Sequence, residues 1–239
     1  MLAEYLKDPA CKIRRLFYDW NHNSDFTESQ LAELGHCRKL DFLLVRGCRM
    51  NDKTFIKLMK NLQQTDVQLK VLDLYANNLT NKSVYFLSEF IKEYRHVESF
   101  GFGGNKLSSL KPWNDFFIQC GKLEINQQEY DRLTALHRNR EKIVEKNNKL
   151  RTLKKPEEQV PYVDPIEHDT ASNRFYQICY RNLKYINLVG NRMKIEVDEL
   201  DYLVEFLQKM RDTVVILSVN RIGEMVEERL VEFNQQVLL

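Results

Sequence analysis

Residues 69–79 have the sequence Leu69-Lys-Val-Leu72-Asp-Leu74-Tyr-Ala-Asn77-Asn-Leu79. The leucines follow the spacing LxxLxL, in which alternate side chains of a short strand point into one apolar core. Asn77 stands where the chain turns too sharply to pair its own backbone groups. An amide side chain both donates and accepts hydrogen bonds, so it can satisfy such groups. The stretch therefore predicts a strand followed by a turn that an asparagine stabilises.

The same LxxLxLxxN pattern recurs in segments 13–21, 40–50, 97–107 and 183–193, so the stretch is one unit of a repeat. Cys48 takes the asparagine position of the second unit, where a small buried thiol also fits the turn. The repeat turn positions are Asn21, Cys48, Asn77, Asn105 and Asn191. Starts at residues 13, 40, 69 and 97 give a period of about 28 residues, which is typical of leucine-rich repeats with a full helix per unit.

Apolar residues at helical spacing follow each strand pattern, which predicts one helix per repeat. The predicted fold class is α/β: a leucine-rich-repeat solenoid, or horseshoe, with parallel strands on the concave face, helices on the convex face and a helical insertion. Residues 1–121 hold the N-terminal repeats and 122–182 a basic helical insertion with a Pro-containing extended tract. Residues 183–239 hold the C-terminal repeats and a closing helix, and the whole is expected to be one continuous solenoid.

Two details of this plan are expected from local spacing. A last strand at 214–219 runs into Asn220 with a turn that looks shortened, and a closing helix carries Val226, Leu230, Phe233 and Val237. In the insertion, the pattern predicts one long helix from Glu124 to Lys155, which Pro156 ends.

Composition narrows the class of protein. The formal net charge of +2 is too small to indicate a nucleic-acid or membrane partner by itself, and no apolar run is long enough to span a bilayer. The five cysteines are scattered and form no CxxC pair, so we expect an intracellular protein with reduced thiols.

No group of residues predicts catalysis, a cofactor or a metal. His168 beside Glu167 lacks a second ligand pair at useful spacing, so a surface or packing role is favoured. The glycine-rich segment 101–106 lacks the GxxxxGK[ST] spacing of a phosphate loop, and the repeat phase explains it better, with Asn105 as the turn residue.

The residues between the core leucines face outward on the strands and are candidates for a partner-binding concave face. They are Arg15, Phe17, Asp19, Trp20, Phe42, Leu44, Arg46, Asp73, Tyr75 and Tyr185. Their aromatic and arginine content is typical of the centres of protein interfaces. Either a partner or the chain's own insertion covers this patch.

The second half of the predicted long helix is basic. Its cations are Arg138, Arg140, Lys142, Lys146, Lys149, Arg151, Lys154 and Lys155. Three interpretations stay open: a solvated face, contact with an acidic surface such as a tubulin wall, or nucleic acid, for which no aromatic interleaving supports base stacking.

The repeat units LKVLDLYANNL and LKYINLVGNRM resemble those of the ribonuclease-inhibitor class. A charged insert, the element Pro165-Ile-Glu-His168 and the resumed repeat further resemble the leucine-rich-repeat-containing protein 71 family, which is associated with cilia. This resemblance implies a non-enzymatic structural component of an axoneme or a related assembly, and no catalytic residues transfer.

We therefore expect a protein–protein interaction scaffold in a ciliary or cytoskeletal assembly, with tubulin or axonemal subunits as partners. Neither end of the repeat array shows a polar cap, which favours partners at the ends or a longer parent chain. The alternative is a regulator of an enzyme, such as a small-GTPase activator or a nuclease inhibitor of this repeat class. The mixed and apolar concave residues disfavour an inhibitor of a basic nuclease.

Overall fold

Short strands and helices alternate along the chain. The computed structural model describes residues 2–8, 10–21, 28–65, 67–93, 96–161, 163–178 and 183–239. The strands are β1 (Arg15–Phe17), β2 (Phe42–Leu44), β3 (Val71–Asp73), β4 (Ser99–Gly101), β5 (Lys122–Ile125), β6 (Ile166–Asp169), β7 (Arg174–Ile178), β8 (Tyr185–Asn187), β9 (Lys194–Ile195), β10 (Val214–Ile216), β11 (Arg221–Ile222) and β12 (Val237–Leu238). The helices are α1 (Leu2–Lys7), α2 (Glu28–Glu33), α3 (Asp52–Gln63), α4 (Asn81–Glu93), α5 (Lys111–Cys120), α6 (Gln127–Thr152), α7 (Asp201–Lys209) and α8 (Glu224–Leu230). Of these helices, none has both the length and the apolar character needed to cross a membrane.

The chain forms two compact units, Met1–Cys120 with Arg181–Leu239, and Gly121–Tyr180. In the first unit seven strands pair in parallel in the order β1-β2-β3-β4-β8-β10-β12. Their register sets equivalent motif positions side by side, as in the row Leu16, Leu43, Leu72, Phe100, Ile186 and Val215. The predicted α/β class built on parallel strands is confirmed.

One apolar core fills the first unit. Inward strand residues such as Leu72 and Phe100 are fully buried in it together with the apolar faces of the helices. Helix α3 packs against α2 and α4, and α5 packs against α4 and α7. Aromatic rings meet edge to face in this core: Phe102 lies 5.6 Å from Trp113 and 5.8 Å from Phe55 between ring centroids. The amphipathic spacing of each helix thus places its apolar side chains in the core that the strands share.

The second unit differs from its sequence prediction. The expected continuous helix from Glu124 to Lys155 is wrong at both ends, because α6 spans Gln127–Thr152 and β5 precedes it. Strand β5 pairs antiparallel with β7, and β7 pairs with β6. The part of the extended tract that contains His168 is therefore strand β6 of a hairpin.

The side chain of Asn77 forms four hydrogen bonds that tie its own repeat unit to the preceding one. Its Oδ1 accepts from the backbone N–H groups of Cys48 and Met50, both at 3.0 Å. Its Nδ2 donates to the carbonyls of Val45 at 2.6 Å and Leu74 at 3.0 Å. The side chain is buried, so it satisfies backbone groups that have no access to water.

The same arrangement repeats along the sheet as a ladder of asparagines. Asn105 accepts from the backbone of Asn77 at 3.1 Å, and Asn191 accepts from the backbone of Asn105 at 2.9 Å. Asn220 accepts from Met193 N at 3.0 Å. Each asparagine thus ties its own turn to the turn of the preceding unit. We call Asn77, Asn105, Asn191 and Asn220 the asparagine ladder.

The expected shortened turn at Asn220 is wrong. The pairing of Val215 with Ile186 places Leu217 three residues before Asn220, as Leu74 stands before Asn77. Val219 lies in this turn and is 75% exposed. The expectation that Val237 belongs to a closing helix is also wrong, since it lies in the edge strand β12.

The first two units lack a full ladder. The Cys48 thiol donates to the carbonyls of Tyr18 at 3.0 Å and Arg46 at 3.2 Å, and burial raises the pKa of this thiol. A thiol is a weak acceptor, so it does not replace the paired bonds of an asparagine oxygen. Asn21 is exposed, and its Nδ2 donates to Asp19 O at 3.2 Å.

Asp52 forms a second link between repeat units, at the start of α3. Its carboxylate accepts from Thr80 N at 2.8 Å, Thr80 Oγ1 at 2.7 Å and Ser83 Oγ at 2.6 Å. Burial raises the pKa of Asp52, but the hydrogen bonds from Ser83 and Thr80 outweigh it and hold the pKa below its ordinary value. These bonds join the start of α3 to the start of α4.

We predict that Asn77→Ala lowers the free energy of unfolding by about 3–5 kcal/mol, because each buried backbone group left unpaired costs about 1–3 kcal/mol. Asn78→Ala is the matched control and should cost less than about 1 kcal/mol, because the Asn78 side chain makes an exposed hydrogen bond to Arg49 O. Urea denaturation measures both. Equal losses would contradict the role given to Asn77.

We predict that Asp52→Asn costs about 1–2 kcal/mol at pH 7, since an amide oxygen cannot accept all three bonds. The folded-state pKa of Asp52 lies below the unfolded value of about 3.9, so its contribution is complete above that pH and is lost as the pH falls through the folded pKa. The difference between wild type and variant should therefore shrink in urea denaturation at pH 3. Asp198→Asn, at an exposed position, is the control, and a difference unchanged between pH 7 and pH 3 would refute the assignment.

Candidate interaction surface

The strands present a partly exposed row of side chains on the face opposite the apolar core. Phe17 is 61% and Trp20 is 58% exposed. The other exposed or half-buried members are Arg15, Asp19, Phe42, Arg46, Asp73, Tyr75 and Tyr185. Leu44 lies between Phe17 and Asp73 in the register and is only 6% exposed, so the expectation that it faces a partner is wrong. We call Arg15, Phe17, Trp20, Phe42 and Arg46 the N-terminal patch.

Arg46 joins two carboxylates across neighbouring strands. Its Nε and Nη2 donate to Asp73 Oδ2 at 2.8 and 2.7 Å, and its backbone N–H donates to Asp19 Oδ1 at 3.1 Å. The other Asp73 oxygen accepts from Tyr75 N at 3.0 Å. The network is half-buried and holds the Arg46 side chain along the sheet rather than free in solvent.

Trp20 adopts a backbone conformation that side chains rarely occupy. The residue before the turn asparagine is left-handed in every unit: Trp20, Gly47, Ala76, Gly104, Gly190 and Val219 all have φ between 56° and 67°. For a residue other than glycine this costs about 1–2 kcal/mol. A Cβ on Gly47 would overlap the Trp20 ring, so the glycine of one unit makes room for the indole of the previous one. An exposed indole is thus retained at a strained position.

A recess opens beside Arg15. The guanidinium of Arg15 lies 4.7 Å from the centroid of the Phe42 ring, which is a cation–π contact. Arg14, Asp41 and Lys70 complete the lining of a cavity of about 460 Å³. Arg14 pairs with Asp41 through two bonds of 2.7 Å. We call the cavity lined by Arg14, Arg15, Asp41, Phe42 and Lys70 the Arg15 recess.

Charges alternate along one row at the start of the strands. The register sets Arg14, Asp41, Lys70, Glu98 and Lys184 side by side. This row was not among the outward-facing residues expected from the sequence, although its members also lie between core positions. The signal was present in the repeat alignment, where the residue that directly follows the first core position of each unit alternates in sign.

The fourth unit has glycines where the other units carry outward side chains. A Cβ on Gly101 would overlap the Asp73 carboxylate, and a Cβ on Gly103 would lie 2.8 Å from Val189 Cγ1 and 3.0 Å from Tyr75 Cδ2. Neighbouring side chains therefore lie over these glycines. The segment that resembled a phosphate loop is strand and turn, with Asn105 buried in the ladder.

The basic helix α6 is partly neutralised by the tract that follows it. Lys146 pairs with Glu158, and Arg151 pairs with Glu157 at 2.7 Å. Asn147 is buried and fixes this return, accepting from Glu158 N at 2.8 Å and donating to Glu158 O at 2.7 Å. No local sequence pattern predicted this return of the chain onto α6, because Asn147 is a single asparagine on an otherwise exposed helix face.

The remaining cations of α6 are more open. Lys149 pairs with Glu145 at 3.0 Å within the helix, which is a weak surface interaction. In the described parts of the chain, no carboxylate forms an ion pair with the others, which are Arg138, Arg140, Lys142, Lys154 and Lys155. The three interpretations of this helix therefore stay predictions. The ion pairs of Lys146, Lys149 and Arg151 reduce the positive charge that α6 offers to a partner.

His168 packs against aromatic rings. Its ring stacks on Phe175 at 4.4 Å between centroids, and Phe175 lies 4.7 Å from Tyr130. Within residues that the structure describes, no group of three or more His, Cys, Asp or Glu side chains is placed to hold a metal ion.

Two cysteines lie close together in the core of the first unit. Cys11 Sγ and Cys37 Sγ are 3.8 Å apart, and both are buried. Burial, followed by the neighbouring Cys11 thiol, raises the pKa of Cys37 to about 11, so its reactive thiolate is scarce at neutral pH. Cys179 lies outside the described residues.

Comparison with models of known protein families and with curated proteins finds no match to this chain. The N-terminal patch is therefore interpreted on its own geometry.

We predict that Gly101→Ala destabilises the protein by about 1–3 kcal/mol, because the added methyl displaces Asp73 and breaks its pairing with Arg46. Gly121→Ala is the control, since a Cβ there meets open space, and it should change the free energy of unfolding by less than about 0.5 kcal/mol. Thermal and urea denaturation measure both. A neutral Gly101→Ala variant would show that Asp73 is not held in this position.

Proposed function

We propose that the parallel strands and their helices form a leucine-rich-repeat solenoid of the ribonuclease-inhibitor type, with the N-terminal patch on its concave face. Support comes from the recurrence of one pairing register at every repeat and from the asparagine ladder, since each coil is tied to the preceding one. Repeats stacked in this way present extended surfaces suited to binding proteins.

We propose that the protein is a non-enzymatic scaffold that binds a partner protein through the N-terminal patch. The observation that carries this is the joint exposure of Phe17 and Trp20 on one sheet face beside Arg15 and Arg46. Aromatic residues and arginine are enriched where interfaces carry most of their binding energy. Burying two such rings on a partner removes apolar surface from water, which favours association.

The proposed setting is a ciliary axoneme or a related cytoskeletal assembly. This part of the proposal draws on the resemblance of residues 160–222 to the leucine-rich-repeat-containing protein 71 family. Cations of α6 that pair with no described carboxylate, such as Arg138 and Lys142, offer a second contact for an acidic surface such as tubulin. Such a contact weakens steeply with salt.

We predict that Phe17→Ser removes the partner set of the protein in ciliated cells. The measurement is proximity labelling, with wild type, Phe17→Ser and Tyr85→Ser expressed at equal levels. Tyr85 is the matched control because it is 49% exposed on helix α4, away from the sheet residues of the patch. The neighbours should include axonemal proteins for wild type and Tyr85→Ser, and should be lost for Phe17→Ser.

A neighbour set that is unchanged in Phe17→Ser would contradict binding through the patch. A set without axonemal or cytoskeletal proteins would contradict the proposed setting and leave the scaffold role standing. Circular dichroism of the purified variants shows that each is folded before the comparison is made.

A further inference from the structure

The carboxylates near the N-terminal patch are all engaged by groups of the protein itself. Asp41 accepts two bonds from the Arg14 guanidinium, and Asp73 accepts from Arg46 and from Tyr75 N. Asp19 accepts from the backbone of Arg46. These negative charges are therefore committed to internal partners.

Two cations in the same region form no ion pair with any carboxylate that the structure describes. No carboxylate among the described residues forms an ion pair with Arg15 or Lys70. In the row of alternating charges Lys70 stands between Asp41 and Glu98, but Arg14 already pairs with Asp41 and Lys184 pairs with Glu98 at 3.0 Å. The row holds three cations and two carboxylates. Lys70 is the cation that pairs with neither carboxylate, and it lines the Arg15 recess.

The recess combines these cations with an aromatic wall. Both Arg15 and Lys70 line it, and the Phe42 ring lies under the Arg15 guanidinium. Its volume of about 460 Å³ exceeds that of a single amino-acid side chain and is open to solvent. A carboxylate that enters it can accept hydrogen bonds from the Arg15 guanidinium, which lies over the Phe42 ring.

An apolar contact lies next to the recess along the same strand. Phe17 follows Arg15 by two residues on β1, so their Cα atoms are about 6.6 Å apart at the usual strand rise of about 3.3 Å per residue. Both side chains point to the same face, and Trp20 stands beyond them. An extended peptide presents its own side chains at the same two-residue spacing.

We propose that the N-terminal patch binds an extended acidic segment of a partner protein, in which an acidic and a large apolar side chain stand two residues apart. The carboxylate enters the Arg15 recess between Arg15 and Lys70, and the apolar side chain packs on Phe17 and Trp20. This inference rests on the proposed scaffold function and specifies the chemistry of its partner. Nucleic acid is disfavoured, since Arg15 and Lys70 supply two cations to the recess, whereas nucleic-acid binding draws on several phosphate contacts.

Trp20 reports binding directly. The chain has two tryptophans, and Trp113 is fully buried whereas Trp20 is 58% exposed, so acrylamide quenching of the intact protein is dominated by Trp20. The probes are short peptides flanked by Gly-Ser that contain Glu-Thr-Phe or the reverse order Phe-Thr-Glu, since either chain direction fits. The comparison peptides contain Lys-Thr-Phe and Glu-Thr-Ser.

We expect an acidic-aromatic peptide to protect Trp20 from acrylamide and to bind at least about tenfold more tightly than both comparison peptides. The double variant Arg15→Glu with Lys70→Glu should lose at least about tenfold in affinity, which corresponds to about 1.4 kcal/mol. Lys53→Glu, at an exposed position of helix α3, is the matched charge control and should bind as wild type does.

Equal protection by the Lys-Thr-Phe peptide, or unchanged affinity in the double variant, would overturn the inference. Stronger protection by a single-stranded oligonucleotide than by any peptide would overturn it as well. These results can be told apart from failure of the proposed scaffold function. That function fails if Phe17→Ser keeps its cellular neighbours, an outcome that depends on the patch and not on the charge of the partner.

Discussion

The turns that follow strands β3, β4 and β8 of the parallel sheet leave backbone groups without access to water, and these groups must be paired. Asn77 pairs four of them with one side chain, because its amide accepts from one unit and donates within both. A buried N–H without a partner is costly, so the spacing of the asparagines fixes the offset between units. Strand register, the shared core and the rows of outward side chains all depend on this offset.

The N-terminal patch differs from most other repeat units in the residue that occupies the left-handed turn position. Most left-handed turn positions carry small residues, but Trp20 holds a large ring there, and Gly47 provides the space for it. Strain kept at an exposed aromatic residue indicates a role outside stability. By contrast, Val219 occupies the same conformation at an exposed position, and no contact in the structure explains it.

The sequence predicted the strands and turns that recur with the repeat period of about 28 residues. The alternation of core residues gave the strands, and the asparagine spacing gave Asn77, Asn105 and Asn191, because one physical requirement acts alike in each unit. Prediction from the sequence failed where two segments that pair with each other lie far apart along the chain. Strand β5 pairs with residues about fifty positions later, and Glu158 returns to Asn147, so neither follows a local pattern. The turn at Asn220 was wrongly expected to be short, because leucine and valine both suit a core position and the pattern alone did not place Leu217 as the last core residue before it.

Photo-crosslinking in ciliated cells tests the central claim most directly. A photoreactive amino acid placed at position 17 lies on the N-terminal patch, and the same residue at position 85 lies exposed on helix α4. The account predicts discrete protein adducts from position 17 that are absent from position 85. Adducts that are equal from both positions, or that form only from position 85, would contradict it.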